Sequence, residues 1–197
     1  LRFFQTASPD IAVSLFVTDR FVDLVKRQAD VAIRPREFNE CNSDLHYDDF
    51  CRIRFALYGS EKYLKTHGTP KTFEDLSSHS LITHDNDLIY YFRPLTWFME
   101  RCKPDNTPLI TNHIGMMMEA VSGGLGVALL PCLMARKEPA LREVMRINDD
   151  ITVDLCIVTL PSARDDRVIN EFVETCSRWS DLHSETFFGH ETEHKLE

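Results

Sequence analysis

The sequence predicts an α/β fold, and three stretches carry that prediction. Apolar runs of strand length at 11–17 and 31–34 bracket a segment in which Phe21, Val22, Leu24 and Val25 recur at helical spacing. Across 109–131 a strand, a helix, a glycine-rich turn and another strand follow one another. A strand-like run at 151–160 leads into an amphipathic segment at about 165–180. Strands and helices therefore alternate along the chain, and in such folds a ligand cleft lies off the carboxyl ends of the strands.

Each element has a local reason. Pro9-Asp10 breaks the chain, and Ile11-Ala12-Val13-Ser14-Leu15-Phe16-Val17 reads as a strand buried on both faces. Thr18 or Asp19 caps a helix running to about Gln28, and Asp30-Val31-Ala32-Ile33-Arg34 is the next strand. Together they read as a βαβ unit with parallel strands. From Pro35 to Asp49 the sequence is polar and aperiodic, a long surface connection. Ile53 to Tyr58 is a strand, Gly59-Ser60 a turn and cap, and Glu61 to His67 a short helix stopped by Gly68. Thr72, Glu74 and Asp75 begin a short acid-started helix anchored by Leu76. Ser80 to Thr83 and Leu95 to Phe98 read as strands, with Asp85-Asn86-Asp87 as a turn between them. A strand ending at Thr111 is followed by Asn112 as helix cap, a helix to Ser122 ended by Gly123-Gly124, and a strand from Val127 to Leu130. Pro131 suits the first turn of a further helix, broken near Pro139. In the amphipathic helix at 165–180, Val168, Ile169, Phe172, Val173 and Cys176 form the apolar face.

Length and composition bound the function. The 197 residues suffice for one large domain or two small lobes, and 43% hydrophobic with 27% charged residues excludes disordered, fibrous and collagen-like chains. Twenty-two Lys and Arg against 31 Asp and Glu give a net charge of −9, the wrong sign for holding DNA or RNA by phosphate neutralisation. No apolar run approaches the ~18 residues of a membrane span. The N-terminus lacks the order of a signal peptide, so a cytoplasmic protein is expected, with residues missing upstream of Leu1. The six cysteines stand singly, without a C-x-x-C pair, and read as reduced thiols, with Cys132 and Cys156 as small core residues. Cys41 and Cys51 would form a redox pair only beside a cation that stabilises a thiolate.

Candidate chemistry is sparse. Ser122 to Gly126 lies between a helix and a strand and lacks the Lys-Ser/Thr of a phosphate loop, so it reads as a tight turn. His79, His84, Asp85 and Asp87 match no zinc spacing, and no metal or other cofactor is expected. No Ser occupies a nucleophile elbow and no Cys has a recognisable His context, so no catalytic residue is assigned. Met116, Met117 and Met118 point around a helix, so one or two pack in the core. His183, His190 and His194 fall in a polar acidic tail that ends in the tag-like Lys195-Leu196-Glu197. Asn112 and His113 lie at a helix start, whose free N–H groups and positive dipole end attract anions. With Arg34, Pro35 and Thr83 at strand ends, these five residues are the candidate contacts for a small anionic ligand.

Five segments, in order and spacing, resemble a known family. They are Ala29 to Arg34; Leu57 to Leu64; His67-Gly68-Thr69-Pro70 with Asp75-Leu76 and His79; Trp97; and Asn112 with Gly123-Gly124-Leu125-Gly126-Val127-Ala128-Leu129-Leu130-Pro131. Over about residues 9 to 180 the chain resembles the effector-binding domain of LysR-type transcriptional regulators. The resemblance implies the type 2 periplasmic-binding-protein fold, two Rossmann-like lobes joined by two crossover segments with a small inducer held between them. Lobe I would comprise 1–58 with 160–183, lobe II 59–159, and 184–197 a polar tail. It further implies a homodimer or homotetramer, with DNA bound only through a winged helix-turn-helix that precedes this domain, and no membrane partner. The helix at Phe21 to Gln28 and the strand Ile11 to Val17 are the expected dimer seam. Two departures stand out: a first strand that supplies a Ser or Thr to the inducer site is absent, and Arg34-Pro35-Arg36-Glu37 replaces the frequent Arg-x-Gly. A solute-binding protein of the same fold and an enzyme on this scaffold are the competing readings. Unpaired cysteines oppose the first, and the lack of an acid, base or nucleophile set opposes the second.

Overall fold

A computed structural model describes residues 1–18, 22–36, 44–85, 93–102, 106–145 and 151–183. These fall into two compact units, Leu1–Arg52 with 154–183 and Ile53–Val153.

In the first unit, α1 (Arg2–Ala7) packs on α6 (Arg167–Leu182), where Phe4, 2% exposed, meets Phe172 edge to face at 5.1 Å. Asp166 caps α6, accepting from the N–H groups of Val168 at 2.8 Å and Ile169 at 3.4 Å. Strand β1 (Val31–Pro35) runs antiparallel to β7 (Thr152–Thr159), pairing Val31 with Thr159 and Pro35 with Leu155. Leu24, Leu45, Cys156 and Val158 form the core beside this pair.

Two expectations fail in this unit. Residues 11–17 form no strand, and Leu15, Phe16 and Val17 are 67%, 76% and 80% exposed. A strand requires a ladder partner, and no described strand pairs with this run, so its β-branched composition has nothing to act on. Residues 22–28 form turns in place of a helix: the Asp23 carboxylate accepts from the Lys26 N–H at 3.2 Å, and Arg27 sits at φ +54°. An Asp side chain that bonds the nearby backbone competes with helix, and a left-handed residue ends it. The apolar stripe still serves packing, since Leu24 is 1% exposed. With neither element formed, the parallel βαβ unit is replaced by the antiparallel β1–β7 pair. The Pro35–Asp49 connection is also shorter than expected, because the 15-residue strand β2 (His46–Ser60) starts within it.

The second unit holds a mixed sheet ordered β6-β2-β5-β3-β4. Strands β5 (Val127–Pro131) and β6 (Leu141–Met145) lie antiparallel on the two edges of β2. Strand β3 (Ser80–His84) is parallel to β5, and β4 (Asn106–Thr111) is parallel to β3. Pro108 lacks an N–H and lies in β4 at the sheet's edge, where strand proline is tolerated. The core contains Ala56, Tyr58, Ile82, Met117, Val121 and Leu130, so one of the three consecutive methionines is buried, while Met116 is 55% exposed.

Helix α2 (Glu61–His67) has the expected termini: the Ser60 hydroxyl accepts from the Tyr63 N–H at 3.3 Å, and Gly68 takes φ +84°. The acid-started segment is a 3-10 helix, Glu74–Ser78, in which the Thr72 hydroxyl accepts from the Asp75 N–H at 3.3 Å while the Asp75 carboxylate accepts from the Thr72 N–H at 3.0 Å. Leu95 to Phe98 is helix, not strand, within α3 (Arg93–Arg101). Leu95, Phe98 and Cys102, three and four residues apart, are all buried, a spacing that only a helix can put on one face. Helix α5 (Cys132–Ala135) ends well before Pro139. The Asn86 and Asp87 part of the predicted turn, the tail at 184–197 and Cys41 lie outside the described residues.

Gly126 secures the entry to β5. A Cβ there would overlap the Ser80 carbonyl oxygen and lie 2.9 Å from its carbon, both backbone atoms that cannot rotate away. Gly126→Ala is therefore expected to destabilise the chain by about 1–3 kcal/mol, the usual cost of forced overpacking, read as a lower urea midpoint at unchanged slope.

Candidate functional site

The parallel register of β3 and β4 sets Thr83 beside Ile110 and His84 beside Thr111, so the carboxyl ends of both strands finish level. One further bond, from the Asp85 N–H to the Thr111 carbonyl at 3.1 Å, carries the pairing past the strand ends. Beyond Thr111 the chain turns through Asn112 and His113 into helix α4 (Ile114–Ser122).

The structure corrects the cap. His113, not Asn112, caps α4: its Nδ1 accepts from the Met116 N–H at 3.2 Å, and its own N–H donates to the Thr111 hydroxyl at 3.3 Å. A ring nitrogen that accepts carries a lone pair, so the neutral ring holds its proton on Nε2. Gly115 makes this possible, because a Cβ there would stand 2.8 Å from His113 Cε1 and 3.0 Å from Nδ1. The first N–H groups of the helix have no intrahelical acceptor, as in any α-helix.

Thr83, Asn112 and His113 thus come together at one end of one sheet. Thr83 is 5% exposed and donates to the Met99 thioether at 3.3 Å, while Asn112 and His113 are exposed. The exposed rim offers amide and imidazole groups beside a helix start, groups able to hydrogen-bond a small polar molecule.

Arg34 and Pro35 belong to the other unit, at the carboxyl end of β1. The Arg34 guanidinium donates to the Val22 carbonyl at 3.3 Å, and its backbone carbonyl faces the Cys156 thiol at 3.4 Å. Partial burial pulls its pKa below the usual arginine value, with Tyr47 and Cys156 opposing. Sequence reasoning missed Thr111, Gly115 and Met99. The His113-Ile114-Gly115 spacing was a readable signal for the first two, whereas Met99 is joined to Thr83 only by tertiary packing.

Comparison with known proteins decides the family. A model of the LysR substrate binding domain matches residues 1–181. The chain belongs to the LysR substrate-binding domain family. The probable HTH-type transcriptional regulator LtrA of Klebsiella pneumoniae is 28% identical over 146 residues, 71% of this chain and 45% of that protein. The HTH-type regulator CrgA of Neisseria meningitidis is 32% identical over 79 residues, 40% of this chain and 26% of that protein. The chain therefore spans less than half the length of these curated relatives. Among solved structures, the CrgA regulatory domain superposes with a TM-score of 0.72 at 19% identity, covering 89% of this chain and 87% of that one. Full-length AphB of Vibrio cholerae gives 0.67 at 18% identity, covering 90% and 61%. The LysR-type effector-binding domain and its periplasmic-binding-protein-like fold are thereby identified.

Four thiols of this LysR domain, those of Cys51, Cys102, Cys132 and Cys176, are shifted toward their protonated form. Burial pushes the Cys51 thiol up to about 12, with the Asp154 charge adding to it, and burial alone takes Cys102 to about 12. Burial likewise raises Cys132 and Cys176. Among the described residues no three His, Cys, Asp or Glu side chains converge on a point where a metal would sit.

Two outcomes are expected. His113→Ala costs about 0.5–1 kcal/mol in urea unfolding and Asn112→Ala leaves stability unchanged, because only the former removes the cap. At pH 7.5, iodoacetamide modifies Cys51 at least about tenfold more slowly than free cysteine, measured by mass spectrometry of the labelled peptide.

Proposed function

We propose that this domain is the sensory part of a LysR-type transcriptional regulator. It binds a small anionic metabolite and catalyses nothing. Thr83, Asn112 and His113, together with Arg34 and Pro35, are the residues assigned to ligand contact. The family match over residues 1–181 carries this reading, and the rim at the β3–β4 carboxyl ends supports it. In functional terms lobe I comprises 1–58 with 160–183, and lobe II 59–159.

The net charge of −9 leaves DNA binding to a separate N-terminal winged helix-turn-helix, so the whole regulator contacts its operator through that domain. It acts as a cytoplasmic homodimer or homotetramer without a membrane partner; among the described residues no helix is long and apolar enough to cross a membrane. Effector and DNA sites need a coupling of only ~1–3 kcal/mol, so micromolar to millimolar affinity suffices.

A thermal-shift screen of small carboxylates and phosphates tests the proposal. At about 100 times its Kd, an effector adds roughly 2.7 kcal/mol, or about 5–10 °C for a chain of this size. The expected result is an anionic hit whose shift falls when Asn112→Ala or Thr83→Val is introduced. Hits confined to neutral or cationic compounds, or shifts indifferent to both substitutions, overturn the assignment.

A further inference from the structure

The corner where α2 and the 3-10 helix Glu74–Ser78 meet the start of β3 contains a histidine that none of the preceding roles uses. His79 is 4% exposed, and its Nδ1 is buried with no hydrogen-bond partner. Three groups that titrate or carry charge face it. Tyr63 and His67 come from α2, the Tyr63 ring centred 5.8 Å away, and Asp75 comes from the 3-10 helix. Tyr63 stacks on His67 at 4.3 Å, so the two imidazoles flank one phenol.

This corner holds the first residue of β3 in place. The Ser80 N–H donates to the Tyr63 hydroxyl at 2.9 Å, the Ser80 hydroxyl accepts from the Asn106 amide at 2.8 Å, and the Ser80 carbonyl abuts Gly126. Through Ser80 the state of the corner bears on β3, the strand that ends at Thr83.

A neutral imidazole can leave Nδ1 as an unprotonated acceptor, which costs less to bury unpaired than an ionised ring does. An imidazolium carries N–H on both nitrogens, so protonation would bury an unpaired donor and a charge close to a second histidine. We propose that His79 is an acid-sensitive latch, closing the α2–β3 corner while its ring is neutral and loosening it when the ring is protonated. Burial is the chief influence on the ring, His67 acts in the same direction and Asp75 opposes both, with the net result that its pKa falls below 6.5. Asp75 is a weak counterweight, being exposed and already accepting from the Lys71 and Thr72 N–H groups at 2.8 and 3.0 Å.

The sign follows. The unfolded chain takes up the His79 proton as pH falls through about 6.5, whereas the folded chain takes it up only at lower pH. Stability from this residue is complete above about pH 7 and declines between there and the folded pKa. The latch is independent of which effector binds, so it can fail while the proposed function stands, and the reverse.

Titration of histidine ring protons by NMR on the 197-residue chain is the direct test. The expected result is a His79 midpoint below 6.5 that rises in His67→Gln, where the neighbouring charge is gone. Amide exchange across Ser80–His84, corrected for the intrinsic pH effect, should accelerate at least about tenfold between pH 7.5 and 5 in the wild type and not in His79→Gln or His79→Phe. A His79 midpoint at or above 6.5, or the same acceleration in both variants, overturns the latch.

Discussion

The parallel pairing of β3 with both β4 and β5 is the constraint on which the second unit depends. A parallel neighbour brings like strand ends together, so carbonyls finish on one side and following helices start on that same side. Thr83, Asn112 and His113 owe their proximity to that register and not to sequence distance, since nearly thirty residues separate the first from the others. The register in turn depends on close backbone approach at Gly126 and on the hydrogen bonds that hold Ser80.

Charge is handled differently inside the sheet and outside it. Arg54, with only 8% of its side chain exposed, meets Glu143 at 3.2 Å, and the pair spans β2 and β6. Removing one partner would leave the other charge desolvated, so this contact specifies which strand lies beside β2 more than it adds stability. The exposed pairs, such as Lys65 with Glu61 at 2.7 Å, are screened by water and contribute little beyond helix support.

His113 and His79 show one side chain chemistry put to two uses. At the start of α4 the imidazole is exposed and accepts a backbone N–H, so its ring is an inexpensive cap. At the start of β3 the imidazole is buried, with Nδ1 lacking a hydrogen-bond partner, so protonation would bury an unpaired donor. Environment alone separates an exposed ring that caps a helix from a buried ring with an unpartnered nitrogen.

Much of the second unit was legible in the sequence because its signals are local. The Ser60 cap, the Gly68 stop, the Thr72 and Asp75 turn, and the helix-to-strand turn at 123–126 each arise from residues within a few positions of one another. The five-segment family pattern was legible for the same reason. Tertiary structure decided what local signals cannot: that 11–17 has no ladder partner, that Asp23 and Arg27 turn the chain before a helix forms, and that Leu95, Phe98 and Cys102 share a buried face. It also decided that His113 caps α4, because the ring reaches Met116 only where Gly115 leaves room, and that Thr83 meets Met99, because no local rule joins a strand end to a distant helix. Propensity and capping act over a few residues of chain, whereas strand pairing and burial act through space, and only the folded chain supplies that second set of neighbours.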